Sequence, residues 1–360
     1  MMRRALGLMS GTSMDGVDAA MVVTDGEEIS EFGPGSFTSF LPSEREVLRA
    51  GLGKWPGGDG LEEIEQLVRG KHAVAVAGFE SIDLVGFHGQ TLSHDPHGRG
   101  TFQIGRGDEL ARDCGVQVVW DFRTADVASG GEGAPLAPFF HFACAKWSGA
   151  TAPVAYLNLG GVGNVTWVDP TAEAPELPGA LLAFDTGPGN ALIDDFVLSR
   201  TGREYDADGE LARSGRVHHD RITRMLEHPY FGRVPPKSLD RQDFADFLEQ
   251  VSDLSDADGA ATLTAFTAAC VAEAARHFPQ PVGRWLVCGG GRKNLALLDM
   301  MAARTNVPVK PVESVGLDGD MLEAQAFAWL AVRVERGLPT SAPGTTGARL
   351  PVSGGRISRP

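Results

Sequence analysis

Side chains suited to chemistry gather in this chain where glycines and polar residues follow short apolar runs. The first cluster, Ser10-Gly11-Thr12-Ser13-Met14-Asp15-Gly16, holds three hydroxyls, two glycines and a carboxylate, with a second carboxylate at Asp18. Glycine lets backbone approach a ligand closely. Consecutive turn N–H groups form a concavity for anions, and a carboxylate can hold Mg²⁺ directly or through water. The cluster reads either as a phosphate-binding turn or as an ordinary polar hairpin turn. Further clusters stand at His88-Gly89-Gln90-Thr91, at 121–133, at Asn158 to Asn164 with Gly160, Gly161 and Gly163, at Asp185-Thr186-Gly187-Pro188-Gly189-Asn190, and at Gly289-Gly290-Gly291 before Asn294. Asp185, with little bulk after it, is a candidate general base. The alternative is a turn carboxylate holding its own backbone. Asp126 is a rival base or an anchor for the glycines at 130–133.

These clusters need strands to carry them. Apolar runs at 5–9 and 17–23 predict a hairpin around the first cluster, with a third strand at 29–40. Further strands are expected at 83–87, 102–105, 116–120, 154–159, 165–168, 181–184, 284–287 and 307–312. Between them the periodicity predicts helices at 43–52 (capped by Ser43), 61–79, 107–113, 135–147, 191–200, 216–227, 243–251, 256–278, 294–303 and 320–336. Residues 201–211 read as polar coil, and the tail from 340 is either flexible or packed as irregular coil. Strands alternating with helices indicate an α/β chain with parallel or mixed sheets. Polar clusters at strand carboxyl ends indicate a ligand cleft. The second Gly-rich hairpin, at Gly160, suggests two lobes of similar topology.

With 360 residues, 42% of them hydrophobic, the chain suits one large or two ordinary domains. A net charge of −15 offers no cationic surface to nucleic acid or to an anionic membrane. ATP stays compatible, because backbone N–H groups and Mg²⁺ can meet its phosphates. Cys114, Cys144, Cys270 and Cys288 are far apart and read as reduced thiols of a cytosolic protein. No apolar run is long enough for a signal peptide or a membrane span. Pro96 keeps His94 and His97 off a helix, so they read as a surface turn rather than a metal site. His218-His219 reads as a solvated helix face.

Two Gly-rich hairpins and a late Gly-Gly-Gly before a helix match the layout of the actin, hexokinase and Hsp70 superfamily. The ordered runs GLMSGTSMDGVDAA, HGQT, DFRTADVASGGEGAPLAPFFH, NLGGVGNVT, FDTGPGN, CGGGRKN and MLEAQAFAWLA resemble the anhydro-N-acetylmuramic acid kinase family. The resemblance implies a two-lobed actin-like ATPase (ribonuclease H-like) α/β fold with a central interlobe cleft. Its first lobe would be 1–134 plus 319–360 and its second 135–318. It also implies a cytoplasmic enzyme, a homodimer, working in cell-wall recycling on a small-molecule amino sugar. That enzyme uses ATP and Mg²⁺ with water to convert 1,6-anhydro-N-acetylmuramic acid to N-acetylmuramic acid 6-phosphate. Another sugar kinase of the same fold, acting on a free hydroxyl without hydrolytic water, is the competing reading.

The same resemblance assigns residues. Asp185 is the base. Gly11, Thr12, Ser13, Met14, Asp15, Gly16, Val17 and Asp18 fall at the ATP phosphates, with Asp15 or Asp18 near Mg²⁺. Asn158, Gly160, Gly161, Gly163 and Asn164 form the second phosphate loop, and Gly289, Gly290, Gly291 and Asn294 lie by the adenosine. His88, Gln90, Thr91, Arg123, Asp126, Gly187, Gly189, Asn190 and Glu323 are sugar-side candidates. Arg123 suits the lactyl carboxylate of the sugar, or else an internal salt bridge to Asp121 or Asp126. Glu323 is otherwise a helix N-terminal charge, and His88 a satisfied buried histidine. Three places depart from the family pattern: Ala125 where many members carry Arg, Glu132 where they carry Gln, and Arg292-Lys293 where small or aromatic residues are expected.

Overall fold

The computed structural model describes residues 1–239 and 241–360. The chain packs as two compact units, the first made of 1–147, 172–180 and 321–360, the second of 148–171 and 181–320. In the first unit β1 (Arg3–Ser10), β2 (Gly16–Thr24) and β3 (Ile29–Ser39) are followed by α1 (Pro42–Arg49), α2 (Leu61–Ala77), β4 (Leu84–Asp95), β5 (Gly100–Ile104), α3 (Gly107–Cys114), β6 (Gln117–Trp120), α4 (Thr124–Ala128) and α5 (Ala137–Trp147). The second unit holds β7 (Val154–Leu159), β8 (Val162–Val168), β9 (Leu181–Pro188), α6 (Ala191–Thr201), α7 (Glu210–Ser214), α8 (His219–Leu226), α9 (Asp256–Ala274), β10 (Trp285–Cys288), α10 (Leu295–Thr305) and β11 (Val309–Pro311). The chain then re-enters the first unit with α11 (Leu322–Glu335), α12 (Pro343–Thr346) and β12 (Arg356–Ser358).

The two sheets repeat one plan. In the first, β3, β2 and β1 form an antiparallel meander, β4 and β6 continue it in parallel, β12 closes the edge and β5 pairs with the far part of β4. In the second, β9, β8 and β7 form the meander, and β10 and β11 continue it in parallel. Each unit therefore opens on a Gly-rich hairpin, as the two clusters in the sequence suggested.

Alternate residues of β1 face opposite sides of the sheet. Leu6 and Leu8 join Ile64 and Val68 of α2 in one core cluster, each such side chain worth roughly 1.5–3 kcal/mol when fully buried. Gly7 faces α11. A Cβ there would stand 1.7 Å from the Ala324 carbonyl oxygen, and one at Gly86 on β4 would stand 2.1 Å from that of Phe327. Glycine on the strands is thus what lets α11 lie directly on β1 and β4, which brings its first turn, with Glu323, toward their carboxyl ends. In the second unit α9 is buried along most of its length.

Several elements differ from the periodicity. The cap of α1 is Leu41, whose N–H donates to Glu44 Oε2 at 2.6 Å, because Pro42 suits the first helical position and pushes Ser43 inside. Strand β4 continues past Phe87: Gly89 adopts φ 74° and Gln90–Asp95 re-pair antiparallel with β5. Strand β9 runs on through Asp185 to Pro188, held by β8 across a bulge. The helix expected at 216–227 starts at His219, and 241–251 is a 3₁₀ run rather than an α-helix. Within the expected coil at 201–211, Asp206 accepts from the Leu211 and Ala212 N–H groups, each at 2.9 Å, and so starts α7. The tail is packed, with Ser341 and Thr346 fully buried. All four cysteines are free thiols.

Candidate active site

In the first unit β1 and β2 meet in the turn at 11–15. Met14 takes a left-handed backbone, φ 56°, and its N–H donates to the Gly11 carbonyl at 3.1 Å. Its side chain and that of Val17 are buried in the core, so both can offer a ligand only backbone. Thr12 and Ser13 are exposed. Gln90 braces the turn. Ser10 Oγ donates to its Oε1 at 2.5 Å, and its Nε2 donates to the Gly11 carbonyl at 3.2 Å. Gln90 is fully buried, and both ends of its amide are engaged by the hairpin. Asp15 is exposed and 3.4 Å from Arg45, while Asp18 is half-buried on β2.

The sugar-side candidates His88, Arg123 and Glu323 come together around α11. Arg123 donates from Nε and Nη2 to His88 Nε2 at 3.0 and 2.9 Å, and from Nη1 to the Gly133 carbonyl at 2.7 Å. Since Nε2 accepts, the His88 proton sits on Nδ1 and donates to the Gly89 carbonyl at 2.7 Å. Burial, with the Arg123 charge alongside, holds His88 well below its ordinary value. Burial also lowers Arg123 to about 10, against the pull of Glu323 and Asp126, so it stays a cation at neutral pH. Among the described residues Arg123 has no carboxylate at ion-pair distance, and Asp121 pairs instead with Arg356 at 2.9 Å. Glu323 is solvent-accessible at the start of α11. Desolvation by the surrounding protein raises its carboxyl, with Arg123 opposing.

Asp126 has a different part. At 1% exposure its carboxylate accepts from the Gly133 N–H at 2.7 Å, from Thr346 Oγ1 at 2.7 Å and from Ser341 Oγ. Three protein donors leave a sugar no access, and Asp126 becomes the anchor of the 129–133 loop. Thr91 Oγ1 accepts from Gln103 Nε2 at 3.3 Å. His94 bonds Thr101, His97 lies 2.8 Å from Glu132, and among the described residues no three His, Cys, Asp or Glu side chains converge on a metal position.

In the second unit the carbonyls of Gly160 and Gly161 accept from the N–H groups of Asn190 at 2.7 Å and Gly189 at 2.9 Å, and Asn190 Nδ2 donates to the Leu159 carbonyl at 3.0 Å. A Cβ on Gly189 would stand 2.3 Å from the Gly160 oxygen, one on Gly291 2.5 Å from Leu159 Cβ, one on Gly289 2.3 Å from Asn158 Oδ1 and one on Gly187 2.9 Å from Cys270 Cβ. These glycines, two of them expected at the sugar, are required by packing. Gly11, Gly160 and Gly290 are not: an added Cβ would meet nothing nearer than 3.5 Å, and their backbones are not left-handed. Internal packing gives no reason for glycine there, whereas the close approach of a ligand does.

A cavity of about 350 Å³ opens beside Gly290 and Gly291, bordered by Asn190, Asp194, Tyr205 and Asn294. Asn294 Oδ1 is committed to capping α10 through the Leu297 N–H at 3.0 Å. Arg292 is buried, 2.7 Å from both Glu313 and Asp320, and donates to the Gly289 carbonyl at 3.1 Å, bracing the loop. Tyr205 was hidden from sequence reasoning by its polar surroundings, in which it is the lone aromatic.

Asp185 lies within β9, opposite Asn164 of β8. Asn164 Nδ2 donates to its Oδ1 and the Leu239 N–H to its Oδ2, each at 2.8 Å. Its carbonyl accepts from the Tyr230 hydroxyl at 2.6 Å, and its N–H donates to the Lys237 carbonyl at 3.1 Å. The Lys237 ammonium in turn sits 4.7 Å from the Tyr230 ring centroid. Burial raises the Asp185 carboxyl above the ordinary aspartate range, and the two donors oppose that rise. The result is a half-buried, oriented carboxylate of increased basicity, which suits proton abstraction. It does not hold the backbone of 186–189, as the turn alternative required. The side chain of Asn164, a residue expected in the second phosphate loop, donates to this carboxylate. Tyr230, Lys237 and Leu239 were missed because nothing local in the sequence ties them to Asp185.

Comparison with known proteins follows the same line. A family model described as anhydro-N-acetylmuramic acid kinase matches residues 62–359. The chain is 62% identical over 356 residues to a protein of that name from Cereibacter sphaeroides, covering 99% of this chain and 96% of that one. It is 58% identical over 356 residues to one from Roseobacter denitrificans, covering 99% and 94%. Among solved structures, the activator of the 2-hydroxyisocaproyl-CoA dehydratase from Clostridium difficile aligns over 93% of this chain and 97% of that one, with 12% identity and a TM-score of 0.44.

Proposed function

Since the chain belongs to the anhydro-N-acetylmuramic acid kinase family, we propose that Asp185 is the base of an ATP-dependent reaction that opens 1,6-anhydro-N-acetylmuramic acid and leaves N-acetylmuramic acid 6-phosphate, a step of cell-wall recycling. The Asp185 carboxylate takes a proton from water. The water oxygen bonds to C1, the C1–O6 bond breaks with its electrons passing to O6, and O6 takes the γ-phosphoryl group as ADP leaves. Attack by water on the face opposite the leaving oxygen is the logic of an inverting glycosidase, and the transfer itself needs positioning and charge neutralisation more than covalent help. The observation that carries this reading is the orientation of Asp185 by Asn164 and Leu239 within a site that burial makes more basic.

The remaining groups take complementary parts. Gly11, Gly160 and Gly290, where packing gives no reason for glycine, are assigned to the nucleotide, and the cavity beside Gly290 to its adenosine, with Tyr205 at the base. Mg²⁺ neutralises charge on the phosphates when bound. With no protein cage among the described residues, one hairpin carboxylate together with phosphate oxygens is the donor set that fits it. We assign that contact to Asp15 or Asp18, the two carboxylates of the hairpin, of which Asp15 also lies 3.4 Å from Arg45. Arg123 commits three of its five N–H groups to His88 and Gly133, which leaves one on each Nη, the pair a carboxylate takes in bidentate fashion. The lactyl carboxylate of the sugar is its assigned partner, and Glu323 is assigned to the sugar as well. Among the described residues no helix is long and apolar enough to cross a membrane; we place the reaction in the cytoplasm and assign the enzyme as a homodimer, which light scattering would read.

Asp185→Asn keeps the shape and removes the base, and turnover should fall by ~10²–10⁴-fold while nucleotide binding persists. Near-normal turnover in that variant would remove Asp185 from the role. Phosphorylation of N-acetylmuramic acid in preference to its anhydro form would favour the reading as a kinase for a free hydroxyl.

A further inference from the structure

The sugar-side group of the first unit is tied to a stretch more than two hundred positions further along the chain (Ser341 and Asp126 are 215 apart). Ser341 and Thr346 are fully buried, and both hydroxyls donate to Asp126 Oδ1, Thr346 at 2.7 Å. The other oxygen, Oδ2, accepts from the Gly133 N–H at 2.7 Å, and the carbonyl of that same residue accepts from Arg123 Nη1 at 2.7 Å. Two backbone bonds run alongside: the Glu132 N–H donates to the Thr346 carbonyl at 2.7 Å and the Arg349 N–H to the Ser129 carbonyl at 3.3 Å. Gly133 has φ 70°, a left-handed backbone that glycine adopts freely, and it is held through both its N–H and its carbonyl. Arg123 therefore has two rigid acceptors, His88 from β4 and Gly133 from the loop, and the second is held in place by the tail. A displacement of Gly133 turns the guanidinium plane and with it the uncommitted N–H pair.

We propose that Ser341 and Thr346 are positioning residues for the substrate: acting through Asp126 and Gly133, they set the angle at which Arg123 meets the substrate's carboxylate. The inference rests on the reading of Arg123 as the carboxylate-binding group. It makes the stretch 341–346 a working part of the sugar site rather than a packed end of the chain.

Thr346→Val keeps the shape of the side chain and removes the donor, and Thr346→Ser keeps the donor. With Thr346→Val, KM for the anhydro sugar should rise about tenfold, since small misplacements of a clamp weaken capture steeply. The effect should fall on KM rather than kcat, KM for ATP should not move, and Thr346→Ser should restore the sugar KM. In an Arg123→Met background Thr346→Val should add nothing, because both act on one contact. Should Thr346→Val not fold, Ser341→Ala, which leaves Asp126 two donors, is read in the same way. An unchanged sugar KM in Thr346→Val beside a raised one in Arg123→Met would overturn the inference and leave Arg123 in its role, as would simple additivity of the two. An unchanged sugar KM in Arg123→Met would remove the premise itself.

Discussion

Asn164 offers a graded handle on the base. Its Nδ2 donates to Asp185 Oδ1 at 2.8 Å and favours the ionised carboxylate against the burial that raises it. Asn164→Leu keeps the branching and heavy-atom count of the side chain, at a larger volume, and deletes the donor, leaving the Leu239 N–H as the other named donor to that carboxylate. A hydrogen bond to a charged acceptor is worth about 1.5–3 kcal/mol. One pKa unit corresponds to about 1.36 kcal/mol. The bond thus amounts to roughly one to two units, and the half-buried position of Asp185 favours the lower figure. Because the base must be deprotonated, the acidic limb of the kcat/KM profile for the anhydro sugar should move upward by about one unit, while the plateau at higher pH changes little. Initial rates of ADP release across the pH range measure this directly. An unmoved acidic limb, accompanied by a raised KM for ATP at every pH, would refute the reasoning and return Asn164 to the phosphate loop where its sequence context put it.

Acid stability should depend on buried histidine. His72, fully buried, is pushed down to about 4 by desolvation from the ordinary histidine value of 6.5. The unfolded chain therefore binds its proton below pH 6.5 and the folded one only below about 4, so stability is lost as pH falls through that window, by about 3 kcal/mol in all. His141, pushed to about 3, acts in the same direction. Urea unfolding of His72→Phe at pH 7 and pH 5 should show a smaller difference than the parent, and an equal difference would exclude His72 as a cause. The glycines of the nucleotide side should divide. Gly291→Ala forces a Cβ to 2.5 Å from that of Leu159 and should cost about 1–3 kcal/mol in thermal unfolding. Gly290→Ala should unfold like the parent and raise KM for ATP, and a shared loss of stability would remove the distinction.

Much of this was legible in the sequence because it is local. The turns at Gly11 and Gly160 sit between apolar strands, so both hairpins and the repeated α/β plan could be read from the order of residues. Strand extent was less legible. Polar residues after Phe87 and Phe184 look like strand ends, yet the left-handed Gly89 and the bulge beside Asn164 let both strands go on pairing. Side-chain roles were the least legible, because they depend on partners far apart in the chain. Gln90 looks like a ligand until Ser10 and the Gly11 carbonyl occupy it, and Asp126 looks like a base until the tail's hydroxyls reach it. The converse holds for Asn164, whose place opposite Asp185 is a matter of hairpin register.

The central claim is that water, deprotonated by Asp185, attacks C1 while O6 accepts the phosphoryl group. Turnover of the anhydro sugar with ATP in water enriched in heavy oxygen, analysed promptly by mass spectrometry of the sugar phosphate and its fragments, tests it most directly. The expected product carries one heavy oxygen on C1 and none on phosphorus. Unlabelled sugar phosphate, or label carried on the phosphate, would contradict it.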